Sequence, residues 1–153
     1  MIKKGFTLIE LLVVIAIIGI LAALVTVSFT SSQRQARDTT RKSDLSQYRT
    51  SLESYANQTN GIYPAHSGAT HIDTATLCAD LNLSSCALDP KDGTTGLPGS
   101  PTFGYYYISD AAGTKYAVYA YLENTSGYWV TCSNGTSKLK AGTATPTQAA
   151  DCP

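Results

Sequence analysis

The chain has 153 residues, enough for one small domain beyond any anchor, and its 11 basic side chains balance 11 acidic ones. That balance gives no general electrostatic reason to bind nucleic acid, and loss of Lys3 and Lys4 would leave nine basic against eleven acidic. The only histidines, His66 and His71, come with no nucleophile elbow, phosphate-binding Gly motif or HExxH, so no enzyme emerges and no cofactor or metal is expected.

Residues 11–33 carry no charge, and within 11–27 only Gly19 and Thr26 fall outside the strongly apolar residues and Ala. About 20 helical residues cross a hydrocarbon layer roughly 30 Å thick, so the length permits a full span. Glu10 stands at its start. A carboxylate toward the membrane core costs about 2.5–3.5 kcal/mol and needs a partner, and none stands nearby in the segment, which puts the expected partner on another molecule. The competing reading is an interfacial carboxylate held by the positive end of its own helix, worth about 0.3–1 kcal/mol. A secretory signal would end in a small-x-small cleavage site; residues 21–24 offer poor versions, and cutting there would discard Glu10 unused.

Lys3-Lys4-Gly5, then Phe6-Thr7-Leu8-Ile9-Glu10-Leu11-Leu12-Val13-Val14-Ile15-Ala16-Ile17-Ile18-Gly19-Ile20-Leu21-Ala22, closely resembles the signature of type IV pilins and type II secretion pseudopilins. The resemblance implies cleavage between Gly5 and Phe6 by a prepilin peptidase, N-methylation of Phe6, and assembly of copies of the chain into a helical filament by pilus assembly platform proteins. It also implies a single-pass precursor in the cytoplasmic membrane that becomes an extracellular surface filament. An α-amino group has an ordinary pKa near 8, so cleavage would give Phe6 a cation that Glu10 of a neighbour can pair, and methylation leaves that amine protonatable. One family feature is missing: many members carry Pro about where this chain has Val27. Gly19 costs a helix only about 1 kcal/mol, against about 3 for Pro.

The fold implied is α+β, the pilin fold. A long N-terminal helix, transmembrane in its first half, packs on a small antiparallel sheet with a disulfide-tied tail. The expected division is a leader at 1–5, the helix at 6–57 with its membrane and polymerisation segment at 6–29, a connecting region at 58–102, and the sheet and tail at 103–153. Continuity over 6–57 predicts a rod of about 78 Å. Leu45, Tyr48, Leu52 and Tyr55 form one stripe of an amphipathic helix, and Asn57, Asn60, Gly61 and Pro64 supply its stop. Arg34 with Asp38, Asp38 with Lys42, and Arg49 with Glu53 stand at i, i+4 spacing and predict ion pairs on a face that is either solvated or a subunit contact. Arg34, Arg37, Arg41 and Lys42 also pull against export under the positive-inside rule, whereas the cysteines and the leader favour it.

All four cysteines, Cys78, Cys86, Cys132 and Cys152, follow the apolar segment, as expected for an oxidising compartment. Three pairings are open. Nearest-neighbour pairing, Cys78 with Cys86 and Cys132 with Cys152, is preferred and would contribute about 2.5 and 3.3 kcal/mol on the chain-entropy account. Zinc is disfavoured because spacings of 8, 46 and 20 contain no Cys-x-x-Cys. A short helix is expected over 74–81, capped by Asp73 or Thr74. Asp89-Pro90-Lys91-Asp92-Gly93 reads as a turn, followed by a Gly and Pro rich stretch to Pro101. Its carboxylates invite calcium, but the full Asp-x-Asp-x-Asp-Gly loop with a distant Glu is absent.

Strands are expected at 103–109, 114–122 and 127–132, joined by short Gly-containing turns as an antiparallel meander. Tyr116, Val118, Ala120 and Leu122 share one face; Ala117, Tyr119 and Tyr121 share the other. Tyr105, Tyr106, Tyr107, Tyr119, Tyr121, Tyr128 and Trp129 are read as core, ahead of a sugar-binding platform or base stacking. Residues 136–153 are low in complexity, with Cys152 tying their end to the sheet. The leading functional expectation is a surface pilus subunit, the alternatives being a secretion pseudopilin and a membrane-tethered binding module.

Overall fold

A single helix, α1, runs Leu8–Gln58. Thr7 fixes its start as an extended N-cap residue, two positions later than expected. Thr59 closes the other end with its backbone N–H on the carbonyls of Tyr55 and Ala56, and Asn60 and Gly61 then take left-handed φ values of 56° and 83°. The computed structural model describes residues 5–73, 75–95, 102–147 and 151–152, and for 24–28 the backbone alone. Lys3 and Lys4 of the expected leader, the candidate cap Thr74, the stretch 96–101, the Val27 side chain and residues 148–150 and 153 of the tail lie outside these.

After α1 come β1 (Thr70–His71), α2 (Leu77–Asp80), β2 (Tyr105–Ser109), β3 (Tyr116–Leu122), β4 (Gly127–Cys132) and β5 (Ser137–Ala141). The strands form one antiparallel sheet in sequence order, β1-β2-β3-β4-β5. The predicted meander is its centre. The sequence reading missed both edges: β1 is too short to show alternation, and β5 lies in what read as a low-complexity tail. Against expectation, α2 is only one turn long, with Thr76 at its cap position making no side-chain bond to it. Asp73 instead accepts the backbone N–H of Ala75.

The period-2 pattern of β3 puts its two faces in separate apolar clusters. Tyr116, Val118 and Ala120 pack with Tyr105 and Tyr107 against Leu45, Tyr48 and Leu52 of α1. Burial of each of these leucines is worth about 1.5–3 kcal/mol. The other face, Ala117, Tyr119, Val130 and Tyr128, packs with Phe103 and Cys152. Cys152 is therefore held on the outer side of the sheet. Disulfides join Cys78 to Cys86 and Cys132 to Cys152, the first pinning α2 and the second the tail.

The tyrosines serve packing. Tyr105, Tyr107, Tyr119, Tyr121 and Tyr128 are all buried, which removes them from any aromatic platform. Tyr106 stacks on Tyr119 with ring centroids 5.6 Å apart. Tyr63 and Tyr116 donate their hydroxyls to opposite oxygens of Glu53, each at 3.0 Å.

Candidate functional site

The first turn of α1 is a reciprocal capping box. The Thr7 backbone N–H and hydroxyl both donate to Glu10 Oε2, at 2.8 and 2.6 Å, and the Glu10 N–H donates to Thr7 Oγ1 at 3.3 Å. This corrects the expectation that Glu10 has no partner within its own segment. The signal was in the sequence: Thr7-Leu8-Ile9-Glu10 has the Ser/Thr-x-x-Glu spacing of that motif. Gly5 and Phe6 precede the helix. Phe6 is 82% exposed, and a Cβ built on Gly5 meets nothing within 4 Å.

Phe6, Ile9, Glu10, Val13 and Val14 line a shallow groove around that carboxylate. From Leu8 to Leu21 every large apolar side chain is at least 47% exposed, and these side chains point in all directions around the helix. A helix apolar on every side is stable only when something apolar surrounds it. Among the described residues, no helix is long and apolar enough to cross a membrane. The unbroken run of described apolar, Ala and Gly side chains, 11–23, reaches about 20 Å.

Where α1 meets the head, polar side chains take over. Arg41 is wholly buried and donates to Asp89 through Nε (2.7 Å) and Nη2 (2.9 Å), and through Nη1 to Asp38 and Glu123, both at 2.9 Å. Arg37 grips both oxygens of Glu123 at 2.7 Å, and Lys91 reaches it at 3.0 Å. Asp38 also accepts the backbone N–H groups of Glu123 and Asn124 at 2.9 Å, which holds the β3–β4 turn on the helix. Phe103 lies beneath both Arg41 and Lys91, 5.2 and 5.0 Å from their charges. Hydrogen bonding from Arg37, ahead of Lys91 and Arg41, holds the Glu123 carboxyl well below the usual carboxylate range.

This cluster replaces the i, i+4 pairs expected on a solvated face. Asp38 turns inward to Arg41, and Lys42 lies over the Trp129 ring at 4.5 Å. Glu53 goes to the two tyrosines, while Arg49 reaches the Gly135 carbonyl. The helix face is a seam with the head rather than a surface.

The Asp89–Gly93 turn is a structural joint. Asp89 is occupied by Arg41 and by the Lys91 N–H, and Asp92 pairs with His71 Nε2 at 2.9 Å. Among the described residues no group of three or more His, Cys, Asp or Glu could hold a metal ion. His71 belongs to β1, and His66 Nε2 contacts Asp80 at 2.7 Å.

A long helix whose exposed apolar first half carries a single carboxylate, Glu10, joined to a disulfide-tied antiparallel β head, defines an α+β, pilin-like class of protein. Residues 1–26 match the prokaryotic N-terminal methylation motif. The chain is 34% identical over 136 residues to a fimbrial protein of Pseudomonas aeruginosa, covering 83% of each chain. It is also 43% identical over 63 residues to the type II secretion system core protein G of Pseudomonas aeruginosa, a stretch spanning 41% of this chain and 44% of that relative. No solved structure matches. The chain belongs to the type IV pilin and pseudopilin family, whose subunits are processed by a peptidase and assemble into filaments.

Proposed function

We propose that this protein is the structural subunit of an extracellular type IV pilus, released from a membrane-anchored precursor by cleavage after Gly5 and methylated on the new Phe6 amine. Glu10 of one copy then pairs with the Phe6 amine of the next, and the apolar turns of α1 bundle away from water. The observation that carries this reading is the all-round exposure of 8–21 beside one carboxylate whose side-chain partner among the described residues is the neutral Thr7. The bundle offers that stretch the apolar surroundings it needs, and a cationic amine offers Glu10 a stronger partner than a hydroxyl.

The pilus is favoured because similarity to the fimbrial relative extends through the head, whereas the secretion relative matches over 63 residues. The higher identity of that shorter match supports a second reading, a pseudopilin acting as a periplasmic piston. Electron microscopy of the cell surface combined with N-terminal sequencing tests both. Surface filaments whose subunits begin at methylated Phe6 are expected. Processed subunits confined to the periplasm would favour the piston, and subunits that begin at Met1 and stay solitary would leave only a membrane-anchored module.

A further inference from the structure

Charge is sorted between the two ends of the sheet. Residues 50–90 contain no Lys or Arg but four carboxylates, and 124–150 contain no Asp or Glu but two lysines. The first stretch supplies the β1 end and the second the β5 end. Glu53 and Asp89 are taken up inside the head. Asp73 and Asp80 remain, with side chains 44% and 41% exposed, and among the described residues their ion-pair partners are His71 and His66.

At the other end Lys140 is held by Asp151 at 2.7 Å, and Lys138 is exposed on the edge strand. On the helix side of that edge, Lys42 covers Trp129 and Arg49 reaches the Gly135 carbonyl. The strand partner of Trp129 is Leu139, an apolar side chain 42% exposed at the centre of this basic rim.

We propose that the Lys138–Leu139 edge of one head docks on the Asp73 and Asp80 edge of a second copy, with Lys42 and Arg49 flanking the contact. This deepens the filament reading and rests on it. Opposite ends of one sheet are different surfaces, so the contact is head-to-tail and continues from copy to copy instead of closing on a twofold axis. Electrostatic complementarity of this kind sets register and excludes wrong neighbours more than it adds affinity. A polyanion such as a nucleic acid would engage the basic edge alone and leave the acidic edge without a role; one chain that carries both edges fits itself.

The test compares filaments from cells making the full chain with Lys138→Glu, Asp80→Lys and the double variant. Each single reversal is expected to lower sheared filament yield about fivefold, and the double to recover most of it. Single variants with wild-type yield and shear resistance, or a double variant worse than either single, would overturn the contact. So would a Lys138→Glu variant that loses only binding to anionic surfaces while its filaments stay normal. Non-reducing mass spectrometry checks that both disulfides form; if Asp80→Lys fails it, Asp80→Asn, Lys138→Gln and their double take its place, the double expected to lose no more than the worse single, and losses that multiply would overturn the contact. N-terminal sequencing and wild-type filament counts separate the two levels. Without cleavage or wild-type filaments the assembly reading itself fails, whereas abundant wild-type filaments with unresponsive variants remove this contact alone.

Discussion

Arg41 and Asp89, 48 positions apart, meet through two parallel hydrogen bonds with both side chains fully buried. A buried ion pair is not by itself strong evidence for stability, but removal of one member leaves the other charged and dry. Arg41→Met is therefore expected to cost about 3–5 kcal/mol, because Asp89 and Asp38 lose their shared donor. Arg41→Lys should recover little, since one ammonium cannot form both the Asp89 fork and the contacts to Asp38 and Glu123. Denaturant unfolding of the purified chain in detergent, followed by tyrosine fluorescence, measures both. Wild-type midpoints would remove Arg41 from the account of how helix and head are joined.

Acid should open the same joint. The folded-state pKa of Glu123 is depressed, first by Arg37, so its stabilisation is complete above the ordinary carboxylate pKa of about 4.3 and is lost as pH falls toward the folded value. Glu123→Gln is expected to lower stability at pH 7 and to flatten its decline below about pH 4. Equal slopes for the variant and the wild type would show that other carboxylates govern acid unfolding.

Alkali acts through the tyrosines. Burial, reinforced by the charge of Asp44, pushes the Tyr48 phenol up to about 12, with its hydroxyl donated to the Ala87 carbonyl. The neutral phenol is thus favoured in the fold, and its contribution is present below about pH 10 and lost as pH rises through 12. Tyrosinate absorbance should therefore appear in a cooperative step coincident with loss of near-ultraviolet dichroism. Smooth titration near pH 10 for most tyrosines would contradict the packing described above.

Gly113 lies in the β2–β3 turn at φ 66°, where its carbonyl accepts the Tyr63 N–H at 2.8 Å. An added Cβ would stand 2.5 Å from the Tyr63 carbonyl oxygen, which is backbone and cannot swing aside. Gly113→Ala is expected to destabilise the head by about 1–3 kcal/mol. Gly61 also has positive φ, 83°, but a Cβ there meets nothing within 4 Å, so Gly61→Ala should cost less. A reversed order of unfolding midpoints would refute the crowding argument.

At the other end of the chain, Gly5→Val leaves the fold undisturbed because the position is open, yet is expected to block processing at Phe6. Glu10→Leu should still insert in the membrane and be cleaved, but yield few filaments. Immunoblots of precursor and mature subunit, read alongside filament counts, separate the two defects. Normal filament yield from Glu10→Leu would rule out its pairing with Phe6.

The helix stripe and the central strands were legible because their signals are local. Leu45, Tyr48 and Leu52 repeat at the helical period, and Tyr116, Val118 and Ala120 at the strand period. Arg41 was not legible. Two of its three carboxylate partners stand 48 and 82 positions away, and on spacing alone its neighbours look like a solvated face. Edge strands fail for a different reason. β5 takes its place by pairing with β4 rather than by burying a side-chain pattern, and only Lys140 in it is as much as half-buried. The Thr7–Glu10 box was readable, but the cost of a membrane carboxylate drew attention to partners farther away.

The backbone of α1 is helical without interruption from Leu8 to Gln58, so the head has no swivel of its own. In a filament held together by the apolar turns 8–23, its compass bearing would follow the rotational phase of those turns. One extra residue inserted near Gln35 would swing every head by about 100°, whereas seven would return it to within about 20° of its original heading and raise it by about 10 Å. Filaments built from such chains would gain or lose length between stem and head most easily in whole-heptad steps.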